Sequence, residues 1–83
     1  MFQMNVELLL HLATCEGYQV RLRQWVRGTL WHADVKVLDG RGRAISQRQR
    51  HGMHPSGLME RCARDSADDV RRYTKAQDNS GSW

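Results

Sequence analysis

The residues of this 83-residue chain that could supply a nucleophile or a transition-metal ligand are two cysteines and four histidines. His51 and His54 have H-x-x-H spacing, but a zinc site normally combines two such pairs, and the chain has no CxxC motif. Cys62 falls on the predicted buried stripe of a helix and Cys15 in a predicted turn, and no recognised motif connects either thiol to a general base. We therefore expect no metal site, no cofactor and no enzyme. A small metal-free hydrolase is the enzyme class that these residues would still allow.

The second chemical resource of the chain is its arginines. Cationic residues outnumber acidic ones by 13 to 9, and only Lys36 and Lys75 are lysines. Arginine forms forked hydrogen bonds to phosphate and carboxylate and stacks on aromatic rings. A GC-rich genome can account for the ratio of arginine to lysine, but it does not account for where the arginines lie.

The positions of the arginines follow a period of two, which is typical of a half-buried strand. Residues 19–27 place Val20, Leu22 and Val26 on one face. The opposite face then carries Gln19, Arg21, Arg23, Trp25 and Arg27. Residues 31–37 repeat the alternation, with Trp31, Ala33, Val35 and Val37 on the apolar face.

A two-residue Gly28-Thr29 loop connects these two strands, and glycine in its first position is the type II′ hairpin signature. The loop sets Val26 opposite Trp31 and Leu22 opposite Val35. On the other face the same register sets Arg23 beside Asp34, Arg21 beside Lys36, and Trp25 beside His32. The Arg21–Lys36 pair is unfavourable unless an anion lies near it.

An N-terminal strand is predicted from the alternation of Phe2, Met4, Val6, Leu8, Leu10 and Leu12. A three-residue Cys15-Glu16-Gly17 loop would join it to the next strand. The competing interpretation is a helix from Asn5 to Glu16 that ends at Gly17. Such a helix would be apolar almost all round, which favours the strand.

Beyond residue 38, Asp39-Gly40 indicates a third hairpin. A two-residue turn would send Gly42, Ala44 and Ser46 of a Gly42–Gln47 strand inward, whereas a three-residue turn would send Ile45 inward. Residues 48–57 then read as a loop, and helical spacing of apolar residues begins at about Leu58 and ends near Gln77.

These elements predict an α+β fold, a four-stranded antiparallel β-meander with a C-terminal α-helix packed on its apolar face (ββββα). The domain would span residues 1–77, and residues 78–83 would form a short polar tail that ends in Trp83.

Cations interleaved with an aromatic ring can bind a polyanion, because the cations neutralise phosphates and the ring stacks on an unpaired base. A wet sheet face is polar in any case, and arginine can simply cover Trp25 by stacking on it. The acidic residues Glu7 and Asp34 also dilute the positive field. The candidate binding residues are Arg21, Arg23, Trp25, Arg27, His32, Lys36, Arg41, Arg43, Arg48 and Arg50.

The element order and the basic, aromatic sheet face are similar to those of single-strand-binding modules of the Whirly and Pur-alpha type, over roughly Met4 to Gln77. This similarity rests on no family motif. It implies a non-enzymatic module that binds a polyanion, either nucleic acid or an acidic protein or nucleoprotein surface. An unpaired sheet edge could also support a homodimer.

A second hypothesis is a protein inhibitor encoded by a phage or another mobile element, comparable to anti-CRISPR proteins, that occupies a site on a larger host complex. Small single domains without catalytic motifs are typical of that class. No apolar run approaches the ~20 residues that span a bilayer. The N-terminus has no basic region followed by an apolar core, so we expect a cytoplasmic protein that does not bind membranes.

Overall fold

The computed structural model describes the backbone of residues 4–80 and the side chains of residues 4–77. The element order is α1 (Met4–Glu16), β1 (Gln19–Arg27), β2 (Leu30–Leu38), β3 (Ala44–Gly52) and α2 (Leu58–Ser80). The strands form one antiparallel sheet in the order β1-β2-β3. The α+β class is confirmed. The predicted ββββα order, on which the similarity to Whirly and Pur-alpha modules partly rested, is not found, because the described residues contain no fourth strand.

The predicted N-terminal strand is wrong, and the competing helix is correct. The apolar run satisfies both periods, and the structure buries the helical stripe of Val6, Leu9 and Ala13. Leu10 is 41% exposed on the other side of the helix. Phe2, also assigned to the strand, lies outside the described residues.

Two contacts at its ends stabilise α1. The N–H groups of Asn5 and Val6 donate to the two carboxylate oxygens of Glu60 in α2, at 3.0 and 3.3 Å. These are unpaired donors of the first helical turn, and the carboxylate also complements the helix dipole. At the other end Gly17 has φ +75°, and the Tyr18 N–H donates to the Ala13 carbonyl. This is a Schellman arrangement, so Gly17 ends a helix and does not close a hairpin.

The β1–β2 hairpin has the predicted register, in which Val26 is paired with Trp31 and Leu22 with Val35. Gly28 has φ +63°, whereas no non-glycine residue among those described has positive φ. A type I′ turn would require positive φ at Thr29 as well, so the turn is type II′, as predicted.

Both predicted registers of the next strand are wrong. The β2–β3 connection is a five-residue loop from Asp39 to Arg43, followed by a bulge at Ile45 that sets Ser46 opposite Val37. The Asp39 Oδ1 accepts hydrogen bonds from the N–H groups of Arg41 and Arg43, both at 2.9 Å. The Arg43 N–H is the largest cause that holds the pKa of Asp39 below its ordinary value. The Asp39 side chain thereby stabilises a five-residue loop, which is longer than the two-residue or three-residue turn that Asp39-Gly40 predicts.

The core lies between one face of the sheet and the two helices. Helix α2 packs across β2 and β3, and α1 packs mainly against α2. Helix α2 extends to Ser80, beyond the predicted end at Gln77, and the rest of the predicted tail, including Trp83, lies outside the described residues. No helix of the described part is long and apolar enough to cross a membrane. The largest fully buried side chains of the core are those of Leu9, Val35, Val37, Val70, Cys62 and Ser66.

Candidate functional site

Both helices pack on the same side of the sheet as Ala33, Val35 and Val37, and no described element covers the opposite side. We call that opposite side the outer face. Because side chains alternate along a strand, every second residue of each strand belongs to it. The outer face comprises Gln19, Arg21, Arg23, Trp25 and Arg27 of β1, Leu30, His32, Asp34, Lys36 and Leu38 of β2, and Ala44, Gln47, Gln49 and His51 of β3.

A row of aromatic rings crosses the three strands of the outer face. The rings of Trp25 and His32 are stacked, with centroids 5.2 Å apart and planes 10° apart. The His51 ring continues the row at 6.0 Å from that of His32. The guanidinium carbon of Arg23 lies 5.0 Å from the centre of the Trp25 ring, within cation–π range. The sequence predicts a loop at His51, and it is the extension of β3 to Gly52 that brings this residue into the row.

Next to the aromatic row lie three cations that have no acidic partner among the described side chains. Arg21 is paired with Lys36 across β1 and β2, as the sequence predicted. Neither of them, nor Arg27, lies within 4.0 Å of an acidic group in the part of the chain whose side chains are described. Like charges directly opposite each other on a sheet destabilise it. The outer face therefore carries a local excess of positive charge.

The acidic residue of this face is Asp34, which is only 7% exposed. Its Oδ2 lies 3.7 Å from the Arg23 Nε, and its Oδ1 is buried and accepts no hydrogen bond. A buried acceptor without a partner costs about 1–3 kcal/mol. Asp34 also lines a depression of about 230 Å³ together with Arg21, Arg23, Lys36 and Gln47.

Arg41 and Arg43 belong to the β2–β3 loop and lie apart from the aromatic row. The loop begins at Asp39, seven residues beyond His32 along β2, which corresponds to about 20 Å. The Arg43 Nε lies 3.9 Å from the Asp39 Oδ2, so its charge is partly matched. The structure does not bring these two candidates to the aromatic row.

Arg48 and Arg50 were expected in a loop beside the basic face, but they lie in β3 on the side that faces α2. The Arg48 Nε and Nη2 donate to the two carboxylate oxygens of Asp69, both at 2.8 Å, and the Arg50 Nη2 donates to Asp65 at 3.0 Å. The fork of Arg48 lowers the pKa of Asp69, and the carboxylate raises the pKa of Arg48. Arg48 and Arg50 therefore form ion pairs that link the sheet to α2.

Cys62 lies on the buried side of a helix, as predicted, whereas Cys15 lies in helix α1 and not in the predicted turn. Cys62 is fully buried, its thiol donates to the Ala33 carbonyl at 3.7 Å, and burial is the main cause that raises its pKa. Cys15 is exposed near the end of α1, and its Sγ lies 3.8 Å from the His11 Nε2. A strand at His11 and a turn at Cys15, as the alternation predicts, would not bring the two side chains together, whereas the i, i+4 spacing of a helix does. Within residues 4–77 no three His, Cys, Asp or Glu side chains cluster closely enough to share a metal ion.

No protein-family model matches the chain, and neither the comparison with curated proteins nor the one with solved structures finds a match.

Proposed function

We propose that the protein is a non-enzymatic binding module whose outer face takes a polyanion, with single-stranded nucleic acid as the ligand that fits best. The observation that carries this proposal is the aromatic row of Trp25, His32 and His51, flanked by the unpaired cations Arg21, Arg27 and Lys36. A single strand offers regularly spaced phosphates and bases with free faces, which matches cations beside rings.

In this mode of binding the side chains have separate tasks. Arg21, Lys36 and Arg27 neutralise phosphates and release counterions, which supplies most of the affinity and makes it salt-dependent. Trp25 offers a ring on which a base stacks. Arg23 now lies over that ring, and its side chain is 68% exposed and free to swing outward onto a phosphate.

The uncompensated Arg21–Lys36 pair favours a binding role for the outer face over the alternative that this face is only solvated. A wet sheet face needs polar residues, but it does not need two cations directly opposite each other while the nearby carboxylate, that of Asp34, is paired with Arg23. A bound phosphate would convert their repulsion into attraction, so the free protein carries a cost that the complex removes.

The test is a salt titration of fluorescent single-stranded and duplex oligonucleotides, read by anisotropy. We choose the double variant Arg21→Gln with Lys36→Gln, because Arg23 already pairs with Asp34. The matched control is Arg64→Gln with Arg71→Gln on the exposed side of α2, which removes the same charge.

We expect the outer-face variant to bind single strands about tenfold more weakly. Its slope of log affinity against log salt should be reduced by about 1.4, since each phosphate contact to a single strand contributes about 0.7. The control should keep the wild-type slope. Equal loss in both variants, or no affinity of the wild type above background, would refute nucleic-acid binding by this face.

The second candidate function is an inhibitor of a larger host complex, favoured by apolar side chains that the fold leaves uncovered. Met4 is 68% exposed, Met53 63% and Val26 48%. Pull-down from a host lysate with and without nuclease separates the two functions. One stoichiometric protein partner that survives nuclease supports the inhibitor, whereas loss of all partners supports the nucleic-acid binder.

A further inference from the structure

The free edge of β1 is a second candidate surface, which borders the outer face and shares Arg21, Arg23 and Arg27 with it, but its hydrogen-bonding groups are those of the β1 backbone. We propose that this edge adds an extended peptide segment of a partner protein in which acidic residues alternate with apolar ones. The segment would pair with the backbone of β1 as a fourth strand. This inference does not depend on the proposed binding of nucleic acid.

The backbone of β1 presents unused hydrogen-bonding groups along this edge. In a two-residue hairpin, the residues that flank the turn form a hydrogen-bonded pair, here Arg27 and Leu30. Every second residue from Arg27 back to Gln19 therefore points its N–H and C=O toward β2. The residues between them, Val20, Leu22, Gln24 and Val26, point these groups away from the sheet, and no backbone partner from the described residues meets them.

The inner side of this edge is apolar and open. Leu22 is 38% exposed and Val26 is 48% exposed, although both belong to the face that the helices cover elsewhere. The reason is that α2 packs on β2 and β3, and α1 packs on α2 and only slightly on β1. An added strand would bring apolar side chains against these two residues.

The outer side of the same edge is cationic, with Arg21, Arg23 and Arg27 at every second or fourth position. A shallow, open depression of about 630 Å³ at this edge is lined by Leu22, Arg23, Gln24, Trp25 and Arg27. Acidic residues on the outer side of an added strand would lie directly opposite the arginines, at the distance where opposite charges stabilise a sheet.

The arginines that would attract an acidic strand disfavour pairing of this edge with β1 of a second copy of the chain. Pairing β1 with itself about a two-fold axis at Leu22 sets Arg21 opposite Arg23. An axis at Arg23 sets that residue opposite itself, and an axis at Gln24 sets Arg21 opposite Arg27. Charged residues on an edge strand are a common protection against self-association.

The other edge of the sheet does not offer a comparable site. On its inner side β3 carries Arg48 and Arg50, whose guanidinium groups are bound to Asp69 and Asp65 of α2. That helix packs along β3 and closes the space where the side chains of an added strand would lie. Strand addition is therefore specific to β1.

The first experiment follows amide hydrogen exchange of the full-length, isotope-labelled protein by NMR. The probe is a blocked nine-residue peptide in which Glu and Val alternate, and the control peptide has Lys in place of Glu. We expect the acidic peptide to slow the exchange of the Leu22, Gln24 and Val26 amides at least about tenfold, because each becomes hydrogen-bonded. Amides of β3 should be unchanged, and the control peptide should have no effect.

The second experiment uses Gln24→Pro, which removes an outward N–H at the centre of the edge and leaves the β1–β2 hydrogen bonds intact. We expect the acidic peptide to bind at least about tenfold more weakly, while affinity for a single-stranded oligonucleotide stays within about twofold. Leu22→Lys should also weaken peptide binding, whereas Met53→Lys, a matched change at an exposed apolar residue outside β1, should not.

Four results would overturn the inference. The first is equal binding of the acidic and basic peptides. The second is protection of the edge amides by raising the protein concentration alone, which would assign the edge to a second copy. The third is protection of these amides by an oligonucleotide. The fourth is unchanged peptide affinity in the Leu22→Lys variant. This variant tests the inference on its own if Gln24→Pro abolishes all binding by unfolding the sheet.

Discussion

At the scale of single residues, Asp34 is the side chain whose role is most directly testable. It is buried beside Arg23, it opposes the positive charge of the outer face, and its Oδ1 lacks a hydrogen-bond partner. A carboxylate here restrains the arginine in the free protein and repels phosphates. It should therefore limit the affinity for a polyanion and contribute nothing to it.

We predict that Asp34→Asn raises the affinity for a single strand about fivefold at low salt, since a pair of charges 4 Å apart in water interacts by ~1 kcal/mol. Asp68→Asn on the exposed side of α2 changes the net charge equally and should have a much smaller effect. Anisotropy titrations measure both. A fall in affinity for Asp34→Asn would mean that the carboxylate contacts or positions the ligand, contrary to the proposal.

Trp25 supplies the ring surface, and its contribution can be separated from charge. We predict that Trp25→Ala weakens single-strand binding by about 1–3 kcal/mol, the usual range for one stacked base, without changing the salt slope. Trp25→Phe keeps a ring and should retain most of the affinity. If the alanine and phenylalanine variants bind alike, no base stacks at this position.

At the scale of elements, the sequence predicted those parts of the fold whose cause is local. The β1–β2 hairpin follows from a glycine in a two-residue turn and from alternation on both sides, so its register and the partners of Arg23 and Trp25 could be derived. The central part of the candidate site was therefore predictable.

The elements that the sequence did not predict depend on partners distant in the chain. Helix α1 contains the periods of both a strand and a helix, and the choice depends on α2 and on the Glu60 cap, 55 residues away from Asn5. The course of β3 depends on the loop that Asp39 organises and on ion pairs with Asp65 and Asp69. Placing Arg48 and Arg50 at the binding site was wrong for this reason.

The Glu60 cap leads to a prediction about α1. We expect Glu60→Ala to lower the free energy of unfolding by about 0.5–2 kcal/mol, the range for the loss of an N-terminal cap. Amide exchange of Asn5 and Val6 should accelerate before that of the sheet. A variant with unchanged exchange at these two amides would show that packing on α2 is sufficient to hold the helix.

The Arg48–Asp69 contact leads to a prediction about pH. Arg48 lowers the pKa of Asp69 in the folded protein, so the unfolded chain binds that proton at higher pH. The pair therefore stabilises the fold above the ordinary aspartate pKa of about 3.9, and this contribution is lost as the pH falls through the lowered folded pKa.

In urea denaturation, the free energy of unfolding should fall less steeply below about pH 5 for Asp69→Asn than for the wild type. The control Asp68→Asn, whose side chain is 48% exposed, should follow the wild type. An identical acid dependence in wild type and Asp69→Asn would show that the contact does not form in solution.

At the scale of the whole molecule, the charges are sorted between the two sides of the sheet. The carboxylates of Asp65 and Asp69 on α2 neutralise the arginines of β3, so the helical side is locally balanced. The net charge of +4 therefore arises mainly outside the helical side of the molecule. The outer face carries Arg21, Arg27 and Lys36 without acidic partners among the described side chains. Such separation directs a polyanion to one side of the molecule.

Binding of a single strand by the outer face is tested most directly by an NMR titration of the isotope-labelled protein with an unlabelled single-stranded oligonucleotide at low salt. We expect chemical-shift changes to concentrate on the outer-face residues of β1 and β2, including the Trp25 indole N–H, and to disappear as salt is raised. Amides on the exposed sides of α1 and α2 should stay unchanged. Shifts confined to the helices, or no shifts at all, would contradict binding by the outer face.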